Sequence, residues 1–117
     1  GNDYPTPDGT AIRDYIHVSD LADLHLKILN KVSTANKSII VNCGYHRGTS
    51  VIEVVNEFKK QSKKNISILY KKRRQGDLAM VIANNKKLKK IINWRPRHYR
   101  LSTIVKSCIQ WEKIINR

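Results

Sequence analysis

The 117-residue chain contains little of what metal sites, disulfide frameworks and membrane helices are made from. It has only two cysteines, Cys43 and Cys108, and neither lies near enough to other metal-ligating side chains in the sequence to suggest a metal site. Both stand among apolar residues, so we expect reduced core thiols in a cytoplasmic protein. No apolar run approaches the roughly 20 residues that a membrane helix needs. The length predicts one small domain.

Glycine is also scarce, and its positions exclude the common phosphate-binding loops. No three of the five glycines form the G-x-G-x-x-G fingerprint of dinucleotide sites, and there is no Walker sequence. None of the four histidines has a serine or cysteine partner at a spacing that suggests a nucleophile. We expect His17 to pack beside its strand neighbours and the other three to lie at the surface.

Acidic residues are few, and the net charge is +14. Between Lys59 and Lys106 lie sixteen lysines and arginines but a single acid, Asp77. Such asymmetry suggests a polyanion as partner, and one hypothesis is a basic module that binds nucleic acid without being an enzyme. That region has few aromatic side chains for base stacking. We favour the interpretation that most of these charges lie on a solvated surface and reflect a compositional bias. Asparagine and isoleucine are abundant as well, and neither residue helps a protein to bind nucleic acid.

Apolar periodicity predicts an α/β fold in which a few short strands are covered by about four helices. The patterns indicate strands at 12–18, 39–44, 66–70 and 80–83. In the first strand, alternation is expected to turn Arg13, Tyr15 and His17 toward one shared surface.

The helices are predicted from their caps and apolar faces. The first should be capped by Ser19 or Asp20, the second by a capping box of Ser50 and Glu53, and the third by Asn84 or Asn85. The last should bury one apolar face, made of Leu101, Ile104, Val105, Cys108, Trp111 and Ile115.

The stretch KKRRQGD, residues 71–77, is a candidate anion-binding turn. Arg74 precedes Asp77 by three residues, and Gly76 permits a sharp turn between them. A guanidinium suits phosphate, and a carboxylate accepts bonds from two vicinal hydroxyls. The pair could therefore hold a nucleoside diphosphate, with Arg13 as a second phosphate contact. The alternative is an Arg74–Asp77 surface ion pair of little energetic value.

Four segments, in this order, resemble the C-terminal part of the UDP-glucose 4-epimerase family, within the extended short-chain dehydrogenases/reductases. They are GNDYPTPDGTAIRDYIHVSDLAD, NCGYHRGTSVIEVVNEF, RRQGDLAMVIANNKKLKKIINWRP and LSTIVKSCIQWE. The resemblance implies that residues 1–117 form one C-terminal UDP-sugar-binding domain. It also implies a separate N-terminal Rossmann half that binds NAD, with no cofactor on this chain.

The resemblance also assigns roles to individual residues. Arg13 and Arg74 match arginines that contact the substrate diphosphate, and Asp77 matches the carboxylate that binds the uridine ribose. Gln75 and Gly76 fill the link between Arg74 and Asp77. Val81 matches a residue that lines the sugar pocket, where a bulky side chain restricts the site to plain hexoses and a small one admits N-acetylated sugars. Valine is neither, so the sugar preference stays open.

The family's reaction interconverts UDP-glucose and UDP-galactose through a 4-keto intermediate and needs a tyrosine four residues before a lysine. Here the five tyrosines are followed four places later by Asp8, Ser19, Thr49, Arg74 and Thr103. No catalytic residue is therefore expected on this chain, and we expect it to be an inactive monomer when alone. A remnant or split gene product that retains the fold without a partner is a further alternative.

Overall fold

The computed structural model describes residues 1–35 and 38–116, which form an α/β fold. Along the chain the elements are β1 (Ile12–Arg13), α1 (Val18–Ala35), β2 (Thr49–Ser50), α2 (Val51–Ser62), β3 (Met80–Val81), α3 (Lys86–Ile91) and α4 (Leu101–Ile115). The predicted combination of short strands with about four helices is confirmed. None of the described helices combines the length and the hydropathy of a membrane-crossing segment.

The strands form one small sheet in the order β2-β1-β3. β1 is antiparallel to β2, with Ile12 opposite Ser50. It is parallel to β3, with Arg13 opposite Val81. The N–H of Ile12 donates to the carbonyl of Ala79 over 2.8 Å, just before β3. The central position of β1 thus brings Arg13 next to a segment almost 70 residues further along the chain.

Several of the predicted strands are wrong. The expected strands at 12–18 and 80–83 are reduced to two residues each, and neither 39–44 nor 66–70 forms a strand. Burial still alternates along 39–43, where Ile40 is 83% exposed and Val41 packs against the core. Within the described residues this segment has no neighbouring strand to pair with, which explains why a strand-like pattern remains without a strand. β2 was missed because two residues before a helix carry no detectable period.

The core lies between α1 and the segment containing α3. Leu24 of α1 and Leu88 of α3 are fully buried, and Ile92 and Trp94 complete their cluster. Leu24, with Ile28 one turn further along α1, faces this cluster, as the helical spacing predicts. Cys43 also packs against it, half-buried as a free thiol.

The helix caps agree with the sequence at two places out of three. Ser50 accepts from the Glu53 N–H over 3.1 Å, and the Glu53 carboxylate accepts from the Ser50 N–H over 2.6 Å, which confirms the capping box. At α3 the N-cap is Asn85, one of the two predicted residues, without a side-chain cap bond, and the neighbouring Asn84 side chain accepts from the Lys86 N–H over 3.2 Å.

The predicted cap of α1 is wrong, because the helix begins at Val18 and includes Ser19 and Asp20. His17 takes the capping role instead, since its Nδ1 accepts from the Ser19 N–H over 3.1 Å. His17 is buried, as expected, and its ring stacks on that of His98 with centroids 4.6 Å apart.

Asp20, which does not cap α1, instead connects the first turn of α1 to the segment before α4 through hydrogen bonds. Its side chain is buried and accepts from the backbone N–H groups of Arg97 and His98, at 3.0 and 2.9 Å. The Tyr45 hydroxyl donates to it over 2.7 Å, and His98 Nδ1 lies 2.9 Å away. These bonds outweigh the effect of burial and lower the pKa of Asp20 to about 2.

The buried face of α4 is shorter than predicted. Val105 is 1% exposed, and Leu101 and Ile104 are partly buried. Cys108 is exposed, and so are Trp111 and Ile115, at 60% and 53%. Among the helices and strands of the described residues, α4 packs mainly against α2, and the C-terminal half of the predicted apolar face is left uncovered.

Candidate functional site

Arg13 and Asp77, which are 64 residues apart in sequence, meet beside the small sheet. The Arg13 Nη2 donates to the Asp77 Oδ1 over 2.5 Å, and Nη1 donates to the Ile12 carbonyl over 2.7 Å. The two side chains are 28% and 33% exposed. The guanidinium is thereby fixed at a surface that ligands can reach, and because an arginine has five N–H donors, three remain available.

The second oxygen of Asp77 is also bound. The hydroxyl of Tyr4, a buried residue, donates to Asp77 Oδ2 over 2.7 Å. This hydrogen bond is the main cause that lowers the pKa of Asp77, and the charges of Arg13 and Arg74 lower it further. The carboxylate is therefore ionised at neutral pH and acts as a hydrogen-bond acceptor.

Residues 74–77 form the tight turn that the sequence predicted. The Asp77 N–H donates to the Arg74 carbonyl over 3.2 Å, and Gly76 has a φ of +77°. Such a φ favours glycine over other residues. The Arg74 side chain is exposed, as is that of Gln75. The alternative of an Arg74–Asp77 ion pair is wrong, since the ion pair of Asp77 is with Arg13.

A groove of about 530 Å³ opens beside Arg13. Val81, which faces Arg13 across the parallel strand pair, lines the same groove and is 46% exposed. The remaining lining residues are Asp14, Val41, Asn42, Cys43, Ile82 and Ala83. Arg74, Gln75, Gly76 and Asp77 stand outside this lining, and Asp77 joins it through its bond to Arg13.

The surface expected to be shared by Arg13, Tyr15 and His17 is divided. His17 stacks on His98, and Tyr15 lines a small cavity with Tyr99, so both face the segment that leads into α4. Arg13 contacts Asp77 instead. The strand alternation on which this prediction depended ends at Arg13.

Sequence reasoning missed Tyr4 and Arg73 as neighbours of the site. The Arg73 guanidinium lies over the Tyr4 ring, 4.1 Å from its centroid, and its Nε donates to the Asp3 carboxylate over 2.8 Å. Tyr4 and Asp77 are 73 residues apart, and no spacing rule connects positions so distant. The only signal was the turn-rich composition around Tyr4, which predicts a loop without saying what it contacts.

The sequence contains neither the glycine fingerprint of dinucleotide sites nor a tyrosine four residues before a lysine. The groups described around Asp77 are guanidinium groups, a carboxylate and a tyrosine hydroxyl, and such groups can bind phosphate oxygens and hydroxyls.

Comparison with known proteins gives one consistent result. The model of the NAD dependent epimerase/dehydratase family matches residues 3–44. The UDP-glucose 4-epimerase of Azospirillum brasilense is 43% identical over the whole chain, which covers 34% of that protein. The crystal structure of UDP-glucose-4-epimerase from Stenotrophomonas maltophila, with bound NAD and formylated UDP-arabinopyranose, superposes with a TM-score of 0.92 at 33% identity, over 100% of this chain and 34% of the other.

A third similar protein is the UDP-Glc/GlcNAc 4-epimerase from Campylobacter jejuni, with a TM-score of 0.85 and 39% identity over 97% of this chain and 34% of the other. The class that these matches define is that of NAD-dependent epimerases and dehydratases. Within that class, the chain is homologous to the C-terminal part of UDP-glucose 4-epimerases. It spans about a third of the length of these relatives.

Proposed function

We propose that this chain is the UDP-sugar-binding portion of a UDP-glucose 4-epimerase, in which it holds the nucleotide while the sugar is interconverted between UDP-glucose and UDP-galactose. The observation that carries the proposal is the contact between Arg13 and Asp77 beside the groove that Val81 lines. A cation, an acceptor and a groove thus meet at one place, as a nucleoside diphosphate with an attached sugar requires.

Each residue has a distinct task in this proposal. Arg13 and Arg74 bind the diphosphate, and Asp77 accepts from the ribose hydroxyls. Both oxygens of Asp77 already have a donor, but each retains a further lone pair. Gln75 and Gly76 set the spacing of the turn, and Val81 borders the sugar.

The chain's own contribution to the reaction is positioning. A nucleotide held at its diphosphate and ribose makes the reaction of its sugar effectively intramolecular. When NAD is bound to the other half of the enzyme, it supplies the hydride chemistry. The size of Val81, between the bulky and the small residue types, is compatible with plain hexoses and with N-acetylated sugars.

The proposed partner is an N-terminal Rossmann half that binds NAD. This proposal is supported by surfaces that are uncovered within residues 1–35 and 38–116. The segment 39–43 has no backbone partner there, and its Ile40 is 83% exposed. On α1, Val18, Leu26 and Leu29 are 74%, 64% and 63% exposed. Apolar surface and unpaired backbone of this kind suit a sheet edge in a larger fold.

The remaining parts of the proposal concern the chain by itself. We expect a cytoplasmic protein, since both cysteines are free thiols. We expect a monomer that binds UDP-sugars weakly, because the contacts of the partner half are needed to offset the loss of freedom on binding.

Titration of the chain with UDP, followed by NMR, tests the nucleotide clamp. Arg74→Ala removes one charge-assisted contact worth roughly 1.5–3 kcal/mol, so we expect affinity to fall about tenfold or more. Lys72→Ala removes an equal charge from the same exposed segment and is the matched control, with an expected change below about twofold. If the affinity of Arg74→Ala for UDP stayed within about twofold of that of the unaltered chain, the assignment of Arg74 to the diphosphate would be contradicted.

A second experiment tests the partner. The part of the Azospirillum brasilense relative that lies outside the match is mixed with this chain and passed through a sizing column, and UDP-galactose conversion is assayed in the presence of NAD. We expect a 1:1 complex with epimerase activity. Ile40→Asp should prevent it, whereas Ser38→Asp, at an exposed polar position nearby, should not. Independent migration of the two unaltered pieces would contradict this part of the proposal.

A further inference from the structure

We propose that Tyr4 is a positioning residue of the nucleotide site, whose hydroxyl holds the Asp77 carboxylate in the orientation that accepts the ribose hydroxyls. The inference rests on the proposed function and adds to it a residue from a different part of the chain. It comes from the geometry around Asp77, where donors from two separate segments each take one oxygen.

Two donors on opposite oxygens fix a carboxylate more completely than one. The Tyr4 hydroxyl lies 2.7 Å from Oδ2, and the Arg13 Nη2 lies 2.5 Å from Oδ1. With Arg13 alone, the carboxylate of Asp77 could still rotate about its last side-chain bond, because that torsion is soft. With the Tyr4 hydroxyl in place, the lone pairs that remain free on both oxygens have defined directions.

Tyr4 is itself held rigidly. Its N–H donates to the Gly9 carbonyl over 2.9 Å, and its carbonyl accepts from the Thr6 N–H over 2.8 Å. Gly9 has a φ of +76°, and a Cβ there would come within 2.3 Å of the Asn2 carbonyl oxygen, so the loop closes tightly. The Tyr4 side chain is only 6% exposed.

The Arg73 guanidinium covers one face of the Tyr4 ring. This group lies 4.1 Å from the ring centroid, and the Arg73 Nε is bound to the Asp3 carboxylate. The ring therefore has a packing role that does not involve the hydroxyl. This separation makes the inference testable, because phenylalanine keeps the ring and its cation–π contact and removes only the bond to Asp77.

Arg13 uses few of its donors on Asp77. It forms a single bond to the oxygen that Tyr4 does not hold, instead of the bidentate pair that arginine often makes. With one further bond to the Ile12 carbonyl, three of its N–H groups remain available for phosphate. The ion pair thus leaves donors of Arg13 free for the diphosphate, while the Tyr4 hydroxyl acts on Asp77 alone.

The test compares Tyr4→Phe with Tyr70→Phe, a half-exposed tyrosine (50%), in NMR titrations with UDP and with inorganic pyrophosphate. We expect Tyr4→Phe to weaken UDP binding about fivefold, the order expected for one hydrogen bond, and to change pyrophosphate binding less than twofold. Tyr70→Phe should change neither. If Tyr4→Phe lost the same affinity for UDP and for pyrophosphate, or lost no affinity for UDP, the inference would be overturned.

A second readout does not depend on a ligand. The carboxyl carbon resonance of Asp77 is followed against pH in the unaltered chain and in both variants. Tyr4→Phe should raise the pKa of Asp77 toward its ordinary value, because the main cause of its depression is removed, and an unchanged titration would overturn the inference. If Asp77 responds but the unaltered chain does not bind UDP, the proposed function fails and the ligand role of Tyr4 fails with it.

Discussion

The replacement of Asp20 by asparagine should destabilise the chain strongly. Asp20 is 3% exposed and joins α1 to the segment before α4 through its bonds to Arg97, His98 and Tyr45. An asparagine of the same shape has lost the charge, and its amide nitrogen would replace one of the two oxygens and turn its donors toward one of the two backbone N–H groups. At least one buried donor would be left without an acceptor.

The expected magnitude follows from the structure in two ways. Hydrogen bonds to a charged group contribute roughly 1.5–3 kcal/mol each, and a buried donor left unpaired costs about 1–3 kcal/mol. The same bonds lower the pKa of Asp20 from 3.8 to about 2, and at about 1.4 kcal/mol per unit this shift corresponds to roughly 2.5 kcal/mol of stability. We therefore expect Asp20→Asn to lower the free energy of unfolding by about 2–4 kcal/mol.

Urea denaturation measures this difference, and Asp23→Asn is the matched control. Asp23 lies on the same helix, is 40% exposed and forms an ion pair of 3.2 Å with Lys27. Such a surface pair is worth little, so its loss should cost less than about 0.5 kcal/mol. Equal midpoints for Asp20→Asn and Asp23→Asn would refute the reasoning.

The pH dependence provides a second check on Asp20. A carboxyl whose pKa is lower in the folded state stabilises the fold above its unfolded pKa, and this contribution is lost as pH falls through the folded value. The gap between the unaltered chain and Asp20→Asn should therefore be constant near neutral pH and should shrink between about pH 4 and pH 2. A gap that does not change over this range would contradict the assigned role of the charge.

Two further predictions concern the cap of α2 and the cysteines. Ser50→Ala removes the acceptor of the Glu53 N–H and a donor to the Asp8 carboxylate. It should therefore lower the free energy of unfolding, measured by urea denaturation, by about 1–2 kcal/mol. A change below about 0.3 kcal/mol would contradict the role of Ser50 as a cap. Cys108 is exposed, whereas burial raises the pKa of Cys43, so Cys108 should react at least about tenfold faster with a thiol reagent in native buffer. Equal reaction rates of the two cysteines in native buffer would contradict this assignment.

The helices could be predicted from sequence because their signals are local. The Ser50–Glu53 capping box and the apolar spacing of Leu24 and Ile28 lie within a few residues of the structure they specify. The error at α1 has the same origin. Asp20 looks like a cap from its neighbours, but the backbone of Arg97 and His98, 77 and 78 residues away, binds it instead.

The strands were predicted less well, because a strand needs a neighbour as well as a pattern. The segment 39–44 has the composition of a strand, yet within the described residues nothing pairs with it. Conversely, β2 is defined only by its pairing with β1. Uncovered residues of α4, such as Trp111, have the same explanation, since an apolar face predicts burial only where a surface exists to bury it.

The site was predicted in part. Its residue types and the turn at Gly76 followed from the sequence and from the family resemblance, and the structure brings Arg13 next to both Asp77 and Val81. The alternative of an ion pair between Asp77 and Arg74 was wrong, and the contacts of Asp77 with Arg13 and Tyr4 were missed, because both contacts join distant segments. Contacts of this kind depend on the sheet order, which no local pattern specifies.

The measurement that tests the central claim most directly is a map of amide and guanidinium NMR shifts as UDP is added to the isotopically labelled chain. The account predicts saturable shifts that are largest at the Arg13 side chain and at the amides of Asp77 and Val81, and that disappear in Asp77→Asn. Shifts that do not saturate, or that are spread along the lysines of α2 and α3, would show that the chain attracts UDP only as one more anion and would contradict the nucleotide site.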